Sequence, residues 1–386
     1  MHYFKMKIEF ISGSISGIFY QFILLVTGFQ LISCNPGENN LANHNNPDTI
    51  VSVINKKVEV GFSLSGGALI DFHFHRDGVN PFTWKLAVNE LPIKNIKGAT
   101  FQGHFLCLGR WGAPTSGEMK LGMPHNGEPA NKWWMLTGKT DYSITMQCNA
   151  PLEGVSIQKE IVLSKNDALI SIRETFSNQF TVARNLPIVQ HATIGLPFLD
   201  SAVIVNSNAT IGFNQKFVPD SIEKYESNWP YMILNTSGDN IDVRKSNGLE
   251  GYVATYVIED SMGWVVAYSP KYKTLIGYVW QTNDYPWLHI WQGIKDQKLW
   301  AKGLEFGTTG LGDTAPINQR FSLNFHTYGN NNYLDAKASV TKSYYCFQIK
   351  LDQGFKEVNK IACTQNELIV SVLTDAGNSD IKLSLN

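Results

Sequence analysis

Polar and apolar residues alternate with a period of two along most of the chain, and runs with helical spacing are scarce. In residues 57–64, KVEVGFSL, the side chains of Val58, Val60, Phe62 and Leu64 share one face, and Lys57, Glu59 and Ser63 share the other. Residues 70–75, IDFHFH, repeat the pattern with Asp71, His73 and His75 on the polar face. Val155, Ile157, Ile161 and Leu163 alternate, as do Ala168, Ile170 and Ile172 after the turn signal Lys165-Asn166-Asp167. Further strands are predicted near 252–258, 264–268, 275–280, 321–327, 346–351 and 367–373, and the last, DIKLSLN, alternates to Asn386. Strands of this kind bury one face and wet the other, so the pattern predicts an all-β protein built as a large antiparallel β-sandwich. Segments rich in Gly, Pro and Trp at 101–135, 185–200, 281–293 and 301–314 read as long connections, where binding and catalytic groups usually sit. With no internal repeat and no linker after residue 55, residues 56–386 are expected to form one domain.

The start of the chain has a different pattern. Lys5 and Lys7 precede an apolar run, IFYQFILLVTGFQLIS, that ends in Leu31-Ile32-Ser33-Cys34. This is the layout of a bacterial lipobox, so residues 1–33 are expected to be a lipoprotein signal peptide and Cys34 the lipidated residue. The Asn-rich stretch from 34 to 55 then reads as a polar tether, and the protein is placed in the cell envelope as a lipid-anchored chain. Asn35, rather than an aspartate, follows the cysteine and points to the outer membrane. The 32 basic and 33 acidic residues are scattered and give a formal net charge of −1, which excludes the basic footprint of a nucleic-acid-binding protein. Cys107, Cys148, Cys346 and Cys363 form no C-x-x-C pattern, so no zinc site is predicted; an exported protein permits disulfides, Cys346 and Cys363 being nearest along the chain, and the pairing stays open.

Candidate chemistry concentrates in three segments. They are residues 102–114 with 123–134, residues 189–200 (VQHATIGLPFLD), and residues 285–293 (YPWLHIWQG) with 303–309 (GLEFGTT). Aromatic faces beside Arg, His, Asn and carboxylates suit a carbohydrate, whose axial C–H bonds pack on rings while fixed polar groups read the hydroxyls. Trp111, Trp133, Trp134, Trp287 and Trp291 all fall in these segments, though a tryptophan in a β-sandwich is more often packing. His73 and His75 have metal-compatible spacing but no third ligand in view, so solvent exposure is expected of them.

The ordered signals GR-G-P, H-NGE, QH-x-x-x-G-x-P-F, W-x-x-I-W and GLE-x-G-T resemble the galactose mutarotase-like superfamily, which includes the aldose 1-epimerases. The resemblance implies that fold from about residue 55 onward, with His191 as catalytic acid and Glu305 as catalytic base. It places Arg110 and His125 at sugar-binding positions, with His104 as an alternative to His125 and with Gln190 and Trp291 as further contacts. Asp284 is a candidate for the aspartate that many members use on substrate hydroxyls. The partner implied is a mono- or oligosaccharide; no cofactor is predicted, and structural calcium is left open. Two other readings remain. One is a carbohydrate-binding lipoprotein without catalysis. The other is a hydrolase or lyase, which would need a second carboxylate such as Glu118, Glu128 or Asp313.

Overall fold

The computed structural model describes residues 50–386 except 77, 88–89, 91–99, 219–221, 247, 249, 313–323 and 352–353. Residues 1–33, expected to be a signal peptide, Cys34, residues 34–49 of the expected tether, Asp313 and the first part of the strand expected at 321–327 lie outside the described residues.

Two large antiparallel sheets carry the fold, as the alternation predicts. The ten-stranded sheet runs, from edge to edge, Ile50–Ile54, Val58–Ser63, Ala68–Phe74, His104–Leu108, Ile188–Gly195, Lys298–Gly307, Trp287–Lys295, Tyr252–Val257, Ile211–Asn214 and Ser227–Asn228. The eight-stranded sheet includes Met262–Ser269, Thr274–Gln281, Ser339–Lys350, Leu169–Asn178 and Val155–Leu163 as neighbours. Between the sheets lies the main core, where Phe72, Leu106, Leu304 and Phe306 from the first pack with Ile157, Ile172, Tyr278 and Trp280 from the second. The outer face of the eight-stranded sheet is also covered. Phe355–Cys363, Glu367–Thr374 and Gly377–Ser384 form a third sheet whose Val358, Ile361, Leu368 and Val370 pack on Trp264, Val266, Leu275 and Phe347.

Two expectations need correction. First, residues 50–55 are not tether: Val51 and Val53 are buried in the edge strand Ile50–Ile54, which pairs with Val58–Ser63. The turn between them is closed by Asn55, whose Oδ1 accepts from the Lys57 and Val58 amides and whose Nδ2 donates to Ser164 O and Asp167 O. Second, the segments taken as long connections contain the central strands His104–Leu108, Ile188–Gly195, Trp287–Lys295 and Lys298–Gly307. These strands are buried on both faces, so they show no polar/apolar alternation to read. The pairing that the sequence left open is answered by the structure: the four described cysteines are free thiols, three of them buried.

Candidate functional site

His191 and Phe105 are paired across neighbouring strands, and Glu305 lies opposite His289 on the next pair. Period-two alternation therefore puts Phe105, His191 and Glu305 on the face of the ten-stranded sheet turned away from the core, where Trp84, Trp111, Trp291 and Trp300 cover it. Together they enclose a cavity of about 770 Å³.

His191 Nε2 is 3.5 Å from Glu305 Oε1. The imidazole is held in place: Nδ1 is hydrogen-bonded to Thr193 Oγ1 at 2.9 Å, one ring face stacks on Phe105 at 4.5 Å, and Trp291 meets it edge-on at 5.7 Å. Glu305 is held from the other side, where its Oε2 accepts from Trp111 Nε1 at 2.9 Å. Trp111 in turn packs on His289 at 4.1 Å, and His289 Nδ1 is bonded to Thr255 Oγ1, which also accepts from Gln215 Nε2 at 2.7 Å. Gln215 is itself fixed by Gly310 O and the Gly312 amide, and it lines the cavity.

Burial sets the charge state of the pair. Glu305 is pushed up to about 8 by desolvation, which the Trp111 N–H only partly offsets. Desolvation pushes His191 down to about 3, and the nearby His125 adds to that effect. Between those values the two groups together hold one proton, a carboxylic acid facing a neutral imidazole, with the lone pair on Nε2 when Nδ1–H donates to Thr193. A site so arranged has one acid and one base within a short proton's reach of each other.

His125 and Trp291 also line the cavity, as the sequence suggests. His125 is presented by a tight loop: Asn131 Nδ2 donates to the carbonyls of His125 and Gly127, and Asn126 Oδ1 accepts from the Gly112 amide. Gly127 is required there, because at φ 80° a Cβ would lie 2.1 Å from Leu108 O.

Arg110, His104 and Gln190 do not line the cavity. His104 and Gln190 are one residue from Phe105 and His191 along their strands and so face the intersheet core. There they join a buried polar network. His104 Nε2 bonds Gln190 Oε1 at 3.1 Å, and Gln190 Nε2 donates to Glu174 Oε2 at 2.6 Å. Glu174 Oε1 pairs with Lys159 Nζ at 3.0 Å, and Tyr278, Tyr285 and Tyr344 complete the network. Arg110 has its fully buried side chain paired with Glu118 on the short helix Ser116–Lys120, and the next residue, Trp111, takes the cavity position. Asp284 is turned toward the other sheet, near Lys342 and the Ser343 amide. Glu128 is engaged by Lys132 and the Leu152 amide, so neither it nor Glu118 supplies a second carboxylate to the cavity. His73 pairs with Asp71, and His75 with the Asn55 carbonyl. Trp134 and Trp287 are core residues.

The sequence reading missed Trp84, Phe105, Gln215 and Trp300. Phe105 could have been found from the apolar run HFLCL as a doubly buried strand. Gln215 and Trp84 sit in segments remote from every motif, and only the fold brings them in.

Among solved structures, the chain is similar to a galactose mutarotase-related enzyme from Lactobacillus acidophilus, with a TM-score of 0.57 and 13% identity over 79% of this chain and 99% of that one. A galactose mutarotase-like protein from Lactobacillus casei ATCC 334 gives 0.55 at 14% identity, covering 78% and 100%. A provisionally assigned aldose 1-epimerase from Escherichia coli K12 gives 0.53 at 11% identity, covering 79% and 100%. At such identities the likeness is one of fold: the chain has the galactose mutarotase-like β architecture. No protein-family model and no curated protein matches the sequence.

Proposed function

We propose that this protein is an aldose 1-epimerase, which interconverts the anomers of a free aldose, and that it works in the bacterial cell envelope, tethered by a lipid on Cys34. One observation carries the catalytic reading: His191 and Glu305 lie 3.5 Å apart on an aromatic-walled cavity, where burial raises the carboxyl and lowers the imidazole so that one proton between them is favoured. Anomer exchange needs that proton count. One group takes the proton of the C1 hydroxyl while the other gives a proton to the ring oxygen, and the C1–O5 bond breaks to leave the open-chain aldehyde. Rotation about C1–C2 presents the other face of the carbonyl, and the ring closes as the group that took the C1 proton gives it to the carbonyl oxygen and the group that donated recovers its proton from the C5 hydroxyl. With His191 neutral and Glu305 protonated, His191 Nε2 is the first acceptor and Glu305 the first donor. The resemblance to epimerases implies the opposite order, and the two descriptions differ only in which partner holds the shared proton when the sugar arrives. The Trp111 N–H on Glu305 and the Thr193 contact on His191 keep both groups oriented through the cycle.

The test is proton NMR of freshly dissolved α-galactose, α-glucose and other aldoses, with and without the protein from residue 35 onward. Acceleration toward anomeric equilibrium supports the reading; no acceleration on any aldose would overturn it.

Two further outcomes follow from the geometry. Above about pH 8 Glu305 loses the proton the pair requires, so kcat/KM is expected to fall tenfold per pH unit there and to be flat from pH 5 to 7. A profile rising through pH 8 would contradict the one-proton pair. Gly303 is the second site constraint: a Cβ there would stand 2.6 Å from Glu305 Oε1 and 2.9 Å from Trp291 Cβ. Gly303→Ala must therefore displace the carboxyl, and a loss of about 10²-fold in kcat with an unchanged circular-dichroism spectrum is expected.

A further inference from the structure

Anomer exchange needs room for a single pyranose ring, but the cavity is longer than that. It runs from Glu305 past Trp291 to Gly293 and Ile294 at the far end of the same strands. Glu305 and Ala301, which pairs with Gly293, are four residues apart on one extended strand. That separation spans about 13 Å, more than twice the width of one pyranose ring.

The far half has an aromatic lining that the regular sheet would not provide. The register between Trp287–Lys295 and Lys298–Gly307 shifts at Gly293/Ile294: Gly293 pairs with Ala301 and Ile294 with Leu299, so Trp300 is the extra residue of a β-bulge. In an unbroken strand Trp300 would point opposite to Ala301, Gly303 and Glu305. The bulge turns its indole into the cavity instead, a recognised use of bulges beside active sites. There Trp300 meets Trp84 edge-on at 5.5 Å and Trp291 at 6.3 Å, while Trp84 reaches back to within 6.1 Å of the His191 ring. The result is a continuous indole wall from the proton-transfer pair to the distal end.

Charge narrows the ligand further. Among the described lining residues the one cationic side chain is Lys216, half-exposed and 4.0 Å from Glu250, and no arginine is present. A phosphate or uronate would leave its charge without a dedicated partner there.

Resting on the epimerase reading above, we propose that the cavity has a second sugar subsite and that its substrates are uncharged reducing disaccharides or longer oligosaccharides. The reducing-end ring lies on His191 and Glu305, and the next ring lies against Trp300 and Trp291.

The test compares glucose with maltose and cellobiose, galactose with a reducing galactobiose, and glucose with glucose 6-phosphate. Anomer exchange is followed by NMR, and affinity by calorimetry as an independent readout. At least one disaccharide is expected to exceed its monosaccharide about tenfold in kcat/KM and in affinity, the equivalent of about 1.4 kcal/mol of added contact. Glucose 6-phosphate is expected to gain nothing over glucose. In Trp300→Ala the disaccharide-to-monosaccharide ratio should fall to about one. Equal values for mono- and disaccharides, a preference for the phosphate, or an unchanged ratio in Trp300→Ala would each overturn the second subsite. Absence of exchange on every sugar, with affinity still rising on addition of the second ring, would remove the epimerase reading and leave the subsite standing. No binding of any sugar would remove both.

Discussion

Glu305→Gln is expected to lower anomer exchange by about 10²–10⁴-fold while raising the stability of the folded protein. The amide keeps the acceptor for Trp111 Nε1 but cannot give or take the proton, so the pair loses one of its two functions. The stability gain comes from the same burial that tunes the site. A carboxyl at about 8 in the folded chain and near 4.5 when unfolded makes the native state bind more protons than the unfolded one between those values. Its contribution is intact below about pH 4.5 and is lost as pH rises through about 8. The Gln variant has no such loss, so its advantage in unfolding free energy over the native protein, read from urea titrations, should grow from pH 5 to about pH 8, reaching a few kcal/mol. A variant that is inactive but equally stable at all pH values would show that Glu305 is not held in an unfavourable desolvated state. His191→Asn should match the loss of exchange with the opposite pH trend in stability: burial holds His191 near 3 in the folded chain against about 6.5 when unfolded, so the native protein loses stability as pH falls below about 6.5, and the gain of the Asn variant is confined to that acid side and vanishes above it. Wild-type exchange in either variant would remove that residue from the mechanism.

Lys159→Met is expected to cost about 3–5 kcal/mol of folding stability, the largest single effect outside the cavity. Both members of the Lys159–Glu174 pair are fully buried between the sheets, and the ammonium also donates to Gly67 O and lies over the Trp134 ring at 4.9 Å. Without the lysine, the Glu174 carboxylate stays in the core with Gln190 as its remaining close donor. Adding Glu174→Gln to Lys159→Met should recover most of the loss, because a neutral amide still accepts from Gln190 Nε2 and leaves no buried charge. Urea midpoints of the single and double variants, combined as a mutant cycle, give the coupling directly. A single-variant cost under about 1 kcal/mol would mean the pair is solvated or dispensable. The network also bears on function, since Gln190 precedes His191 on its strand and anchors that strand to the opposite sheet through Glu174.

The all-β class and the antiparallel sandwich could be read from the chain because half-buried strands write their geometry as a period-two pattern, clear in Val155–Leu163 and Glu367–Thr374. The order of motifs around His191 and Glu305 likewise marked the two residues that the fold brings to 3.5 Å. The same pattern failed at the centre of the ten-stranded sheet. Strands covered on both faces have no wet side, so HFLCL and IVQHATIG read as connections.

What the sequence by itself determined, then, was that these strands form and that neighbouring residues point to opposite faces. Which face holds the site depends on pairing register and on what packs against each sheet, both set by contacts between residues far apart in the chain. Tertiary structure therefore sent His104 and Gln190 into the core network and His191 and Phe105 into the cavity, although each pair is adjacent in sequence. It also brought in Trp84 and Gln215 from remote segments and, through one bulged residue, turned Trp300 toward the cavity.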